Sequence, residues 1–146
     1  MAAAQTKSVE KPATEPRVPA KLDASTLEAE IRTRVDSFFG YLKQRKVEVA
    51  YGKLFDGSIL PDENPEMVKK LMASTTRVLE MTGQIDGAEF LRARAAGRTL
   101  REVTYVLNGE KRPLRWTFYF YFTAGHWQIL DTNVATEASG FFEDTK

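Results

Sequence analysis

Asp131 is the side chain with the clearest chemical potential in this chain. It follows Trp127-Gln128-Ile129-Leu130 and lies close behind a run of alternating rings, Trp116-Thr117-Phe118-Tyr119-Phe120-Tyr121-Phe122. If Ala124-Gly125 is a two-residue hairpin turn, Thr123 pairs with His126 and the ladder continues Phe122 with Trp127, Phe120 with Ile129 and Phe118 with Asp131. That register sends the carboxylate among apolar rings, where desolvation raises a carboxylate's pKa and suits it to general acid or base work. Asn133 shares its parity. Tyr51, Tyr105, Trp116, Phe118 and Asn133 would then wall a pocket around Asp131, apolar with a few convergent polar groups, of the kind that takes a small apolar ligand. The same set also describes a packed core whose polar atoms are satisfied, with Asp131 bonded to an arginine or tyrosine in a structural network.

Other chemistries find less to work with. The one histidine, His126, falls on a hairpin turn, and no His, Asp and Glu cluster has the spacing of metal ligands, so neither metal nor cofactor is expected. No Gly-x-Ser-x-Gly elbow and no glycine-rich phosphate loop occurs. The absence of cysteine removes disulfides and thiol nucleophiles together. Arg92, Arg94, Arg98 and Arg101, with Lys111, Arg112 and Arg115, form a basic cluster that could grip an anion. Glu89, Glu102 and Glu110 dilute it, Glu102 being expected opposite Arg115. With 21 Lys+Arg against 20 Asp+Glu the chain has no global field for nucleic acid, so a solvated, salt-bridged sheet edge is the expectation there.

The elements that must hold these residues follow from periodicity. Residues 1–24, rich in Ala, Pro, Thr, Lys and Glu without an aromatic, read as a disordered leader, and residues 25–146 as a single domain. The leader lacks the continuous apolar stretch of a secretory signal, and no run is long and apolar enough to span a membrane. A periplasmic or secreted location would follow only if such a signal lay upstream of Ala2-Ala3-Ala4 and had been trimmed. Ser25-Thr26-Leu27-Glu28 matches a capping box and predicts a helix with Leu27, Ile31, Val35, Phe38, Phe39 and Leu42 on its inner stripe. Val47, Ala50, Tyr51, Leu54 and Phe55 predict a second helix ending at Asp56-Gly57. Asn64-Pro65 starts a third, with Val68, Leu71, Met72, Thr75, Leu79 and Thr82 inward and Gly83 as its stop.

From Gln84 the period becomes two. Strands are expected near 84–94, 100–107, 112–123 and 126–134, joined at Ala96-Gly97, Asn108-Gly109 and Ala124-Gly125 as an antiparallel meander. The fold class is α+β: three N-terminal helices packed on one face of a curved four-stranded sheet. Val103, Tyr105, Leu114, Trp116, Phe118, Phe120, Phe122, Trp127 and Ile129 should face the helices. The opposite face carries Glu102, Thr104, Arg115, Thr117, Tyr119, Tyr121, Gln128 and Leu130, too aromatic for ordinary wet surface and too polar for a core, and would serve a sheet-to-sheet homodimer, with Arg115, Thr117, Tyr119, Tyr121 and Gln128 at its interface.

The order of elements, together with Tyr51-Gly52-Lys53-Leu54-Phe55-Asp56, Pro113-Leu114-Arg115-Trp116-Thr117-Phe118-Tyr119-Phe120-Tyr121-Phe122 and Gly125-His126-Trp127-Gln128-Ile129, resembles the nuclear-transport-factor-two-like superfamily, which also holds ketosteroid isomerase and many small uncharacterised bacterial domains. The resemblance covers about residues 26–135. It implies a conical half-barrel with a pocket between helices and sheet, frequent homodimers, and functions from ligand binding to isomerisation; no residue matches the isomerase's catalytic motif position by position. The expectation is a non-catalytic ligand-binding or protein-interaction module acting as a homodimer, with a small isomerase- or cyclase-like enzyme using Asp131 as general base as the alternative.

Overall fold

The computed structural model describes residues 20–142. Its chain order is β1 (Ala20–Leu22), α1 (Ala29–Lys43), α2 (Val47–Leu54), α3 (Leu60–Glu63), α4 (Pro65–Thr82), β2 (Ile85–Ala96), β3 (Leu100–Gly109), β4 (Pro113–Thr123) and β5 (His126–Ala135), closed by a 3-10 turn at Ala138–Phe141. The five strands form one antiparallel sheet in the order β1-β2-β3-β4-β5. The α+β class and the meander hold. The count differs, because β1, α3 and the 3-10 turn come from segments with no internal period to read.

β1 lies inside the expected leader. Ala20, Lys21 and Leu22 pair with Ala95, Arg94 and Ala93, so the sheet takes in residues before 25, while residues 1–19 of the expected leader lie outside the described residues. The capping box does not form either. Asp23 Oδ1 instead accepts from the Ser25 and Thr26 backbone N–H groups and from both their hydroxyls, closing a tight turn. Those bonds hold the Asp23 carboxyl below its ordinary pKa, the Ser25 and Thr26 hydroxyls contributing most. Glu28, the expected reciprocal cap, is turned over to Arg101 on the sheet, whose Nε and Nη2 donate to its carboxylate at 2.7–3.1 Å.

The other helix signals work as chemistry requires. Asn64 Oδ1 accepts from the Met67 N–H, Pro65 opens α4, and Gly83 ends it with φ at 78°. Arg34 reaches from α1 to the last carbonyls of α2, donating Nη1 to Lys53 and Leu54 and to Asp56 beyond them, where a cation meets the negative end of the helix. α1 lays Ile31, Val35, Phe38, Phe39 and Leu42 on the sheet. Phe38 sits edge-on to Tyr51, Trp116 and Phe118 at 5.1, 5.6 and 5.5 Å between ring centres, and Phe39 lies against Tyr105 and Trp116. The inner face of the sheet is thus filled by rings from both layers.

Two register details set the faces. Between β3 and β4 the chain leaves residues 109–112 between the paired Asn108 and Pro113, so the tight Asn108-Gly109 hairpin is replaced by a longer loop and Glu102 meets Tyr119 rather than Arg115. The slip from 115 to 119 is even, and every side chain keeps its face. Between β4 and β5 the Ala124-Gly125 turn forms as expected, with φ at 54° and 82° and Thr123 opposite His126. After Phe120↔Ile129, however, a β-bulge inserts Leu130, and Tyr119 meets Asp131. This one-residue slip is odd, and it exchanges the faces of everything that follows.

Candidate interaction surface

The bulge corrects the placement of two expected pocket residues. Asp131 pairs with Tyr119 instead of Phe118 and stands exposed on the sheet face away from the helices, where its Oδ1 accepts the Thr132 N–H at 2.8 Å. Asn133 follows it outward, opposite Thr117, while Thr132 turns inward, opposite Phe118, and is buried. The structure does bring Tyr51, Tyr105, Trp116 and Phe118 together, but as neighbours in the core. The Tyr51 hydroxyl shares a hydrogen bond of 2.6 Å with Thr75 Oγ1. Burial pushes its pKa up to about 12, and burial with the nearby Asp36 carboxylate does the same to Tyr105. Both phenols therefore remain neutral across the physiological range. Phe122, expected among the helix-facing rings, packs on Trp127 at 5.2 Å but lies at the hairpin end and stays 38% exposed.

The basic cluster is largely absorbed by internal partners. Arg101 pairs with Glu28 and lies 4.9 Å over the Trp127 ring, while Glu30 accepts the Trp127 backbone N–H. Arg94 pairs with Glu102, and Arg115 with Glu137. His126 approaches the Gly57 and Ala124 carbonyls through its two ring nitrogens, at 3.3 and 3.2 Å. Among the described residues no group of His, Asp and Glu gathers as a metal site, and no helix is long and apolar enough to cross a membrane.

The outer face divides into two halves with different fates. Over one half the chain after β5 folds back as the 3-10 turn. Arg92 donates to the Gly140 and Phe141 carbonyls, Arg115 reaches Glu137, and Gly140 is buried against the Arg115 guanidinium. A Cβ at Gly140 would overlap Arg115 Nη1, so any larger residue here obliges the guanidinium to shift. Below it Thr104 and Thr117 are 3% and 7% exposed and share a 3.3 Å contact between hydroxyls. Two of the expected dimer residues are therefore withdrawn from the open surface: Arg115 is engaged by the protein's own C-terminal segment, and Thr117 is buried. No periodic signal announces that strap; the aromatic pair Phe141-Phe142 after a small Gly140 is the only trace of it.

The other half lies open. Leu100, Tyr121 and Leu130 are 39%, 39% and 44% exposed, Leu100 and Tyr121 being cross-strand partners. Gln128, opposite Tyr121, is half-buried. Beside them a hollow of about 510 Å³ is lined by Arg94, Ala96, Leu100, Arg101, Glu102, Tyr119, Leu130, Asp131 and Asn133. Its floor is a fixed polar chain: Tyr119 donates its hydroxyl to Glu102 Oε2 at 3.1 Å, and Arg94 Nε donates to Glu102 Oε1 at 2.6 Å. Burial first, then Glu102, then Asp131, raises the Tyr119 pKa, so the phenol stays a donor. Leu130 and Asp131 enter the hollow together because the bulge sets both against Tyr119. Alternation alone places Leu130 and Glu102 on this outer face; what it does not show is that Asp131 and Asn133 join them there, since a bulge leaves no mark in an alternating pattern. No family model, no curated protein and no solved structure matches this chain.

Proposed function

We propose that the protein is a non-catalytic binding or interaction module of the cone-fold, nuclear-transport-factor-two-like kind, and that the open half of its outer sheet face receives a second copy of the chain. What supports the reading is the contrast between a ring-filled inner face and an outer half where Leu100, Tyr121 and Leu130 stand exposed around a Tyr119 whose hydroxyl is already tied. Exposed apolar side chains gathered on a flat strand surface and rimmed by charge are the composition of a protein contact. An isologous pairing would set each Tyr121 and Leu130 against the same patch on its partner. The alternative in which Asp131 acts as general base needs a desolvated carboxylate, and Asp131 is exposed.

Light scattering on the full chain tests the proposal. The wild type should show twice the chain mass at tens of micromolar, and the double variant Tyr119→Glu, Tyr121→Glu should run as a folded monomer with unchanged far-ultraviolet circular dichroism. A wild type that is monomeric throughout that range overturns the homodimer.

A further inference from the structure

The chain carries its own candidate ligand for the open hollow. Immediately before β1 it reads Lys11-Pro12-Ala13-Thr14-Glu15-Pro16-Arg17-Val18-Pro19, containing the P-x-x-P sequence Pro16-Arg17-Val18-Pro19. Proline spaced in this way favours the polyproline II conformation, and aromatic-lined surfaces recognise it because the segment gives up little entropy on docking. The hollow supplies the matching chemistry. Tyr119 and the exposed Leu100 and Leu130 offer apolar and aromatic surface, and Asp131 is a carboxylate with no cation within ion-pair distance among the described residues.

The point of attachment fits as well. Ala20 pairs with Ala95, and the next residue of β2, Ala96, already lines the hollow. Ala20, the first described residue, thus lies beside the hollow's edge. From β1 to β5 is about 19 Å, four strand spacings of ~4.8 Å. A polyproline II run from Pro12 to Pro19 spans about 25 Å at ~3.1 Å per residue. The segment is therefore long enough to cross Leu100 and Tyr119 and bring Lys11 to Asp131. The hollow between α2 and α4, lined by Val49 and Met72, has no such tethered partner of matching chemistry.

We propose that residues Pro12–Pro19 dock in this hollow in cis and compete with the second copy for the same face. The competition rests on the homodimer reading above; the docking does not. The absence of cysteine makes the test clean, because Ala13→Cys introduces a unique thiol for a spin label. In the full-length, isotope-labelled chain the label should broaden the amides of Leu100, Tyr119, Leu130 and Asp131 and spare those of Val49 and Met72. Replacing Pro12, Pro16 and Pro19 by Ser in that chain should abolish the broadening and tighten self-association about tenfold, read by analytical ultracentrifugation. Broadening absent from the hollow in the parent chain overturns the docking. Broadening that appears only when spin-labelled chains are mixed with isotope-labelled, label-free ones places the segment on a neighbouring copy and overturns the cis arrangement. Broadening in the parent chain that the serine replacements abolish, with both chains monomeric, supports the docking and overturns only the homodimer, whereas broadening that survives the replacements overturns the docking through the prolines.

Discussion

The two faces of one sheet solve the same problem in different ways. On the helix side Trp116, Phe118 and Tyr105 are buried against Phe38 and Phe39, rings that the chain supplies early and in quantity. On the far side the described residues supply a short turn, held by Arg92 and Arg115, which reaches part of the face. The remainder, around Leu100, Tyr121 and Leu130, stays uncovered. Burial on the first side is driven by area removed from water, while on the second it depends on close approach at one glycine. The apolar surface left over is what the proposed contact would use.

That contrast can be broken most strongly at its centre. Trp116→Ala should cost ~3–5 kcal/mol in urea unfolding, because the cavity opens among rings that cannot collapse into it. Tyr121→Ala on the open half should stay within about 0.5 kcal/mol in the monomer. Comparable losses at the two positions would remove the distinction. A smaller effect tests the strap: Gly140→Ala obliges the Arg115 guanidinium, the far end of a flexible side chain, to turn aside and should cost ~0.5–1.5 kcal/mol. Hydrogen exchange should then quicken over residues 136–142 and at Thr104 and Thr117, while α1 remains protected. Unchanged exchange there would mean that the turn does not hold the covered half.

The third effect sharpens the inner side alone. Tyr51 and Tyr105 are both pushed up to about 12, whereas an unfolded tyrosine ionises near ~10. Between those values the unfolded chain binds fewer protons than the folded one, so stability is full below about pH 10 and falls as pH rises toward 12. Tyr51→Phe should flatten this alkaline slope in urea titrations and, by leaving Thr75 without its hydroxyl partner, lower stability at neutral pH by about 1 kcal/mol. An unaltered slope would show that the Tyr51 phenol is not held neutral by the core.

Residues separate what could be read early from what could not. Ile31, Val35, Phe38, Phe39 and Leu42 occur at helical spacing and are all buried, since a helix needs only its own period to define a stripe, whereas Leu27, expected on the same stripe, is buried from the turn ahead of the helix. Val103, Leu114, Trp116 and Phe118 alternate and are buried for the equivalent reason in strands. Even the misjudged loop after Asn108 left the faces intact, because its displacement was even. Ser25 and Glu28 were misread as reciprocal caps because nothing local reveals that Arg101, far along the chain, competes for the carboxylate.

Hydrophobic period and turn chemistry, both properties of neighbouring residues, were therefore enough to settle the order of the three main helices and the four long strands, the antiparallel meander and most of the core. The outward facing of Asp131 and Asn133, the partners of the arginines and the strap over Thr104 and Thr117 arose from contacts between segments distant along the chain. A single inserted residue at Leu130 reverses the side to which the rest of its strand points, and its position is chosen by how the whole strand packs. No local preference distinguishes that arrangement from the regular ladder.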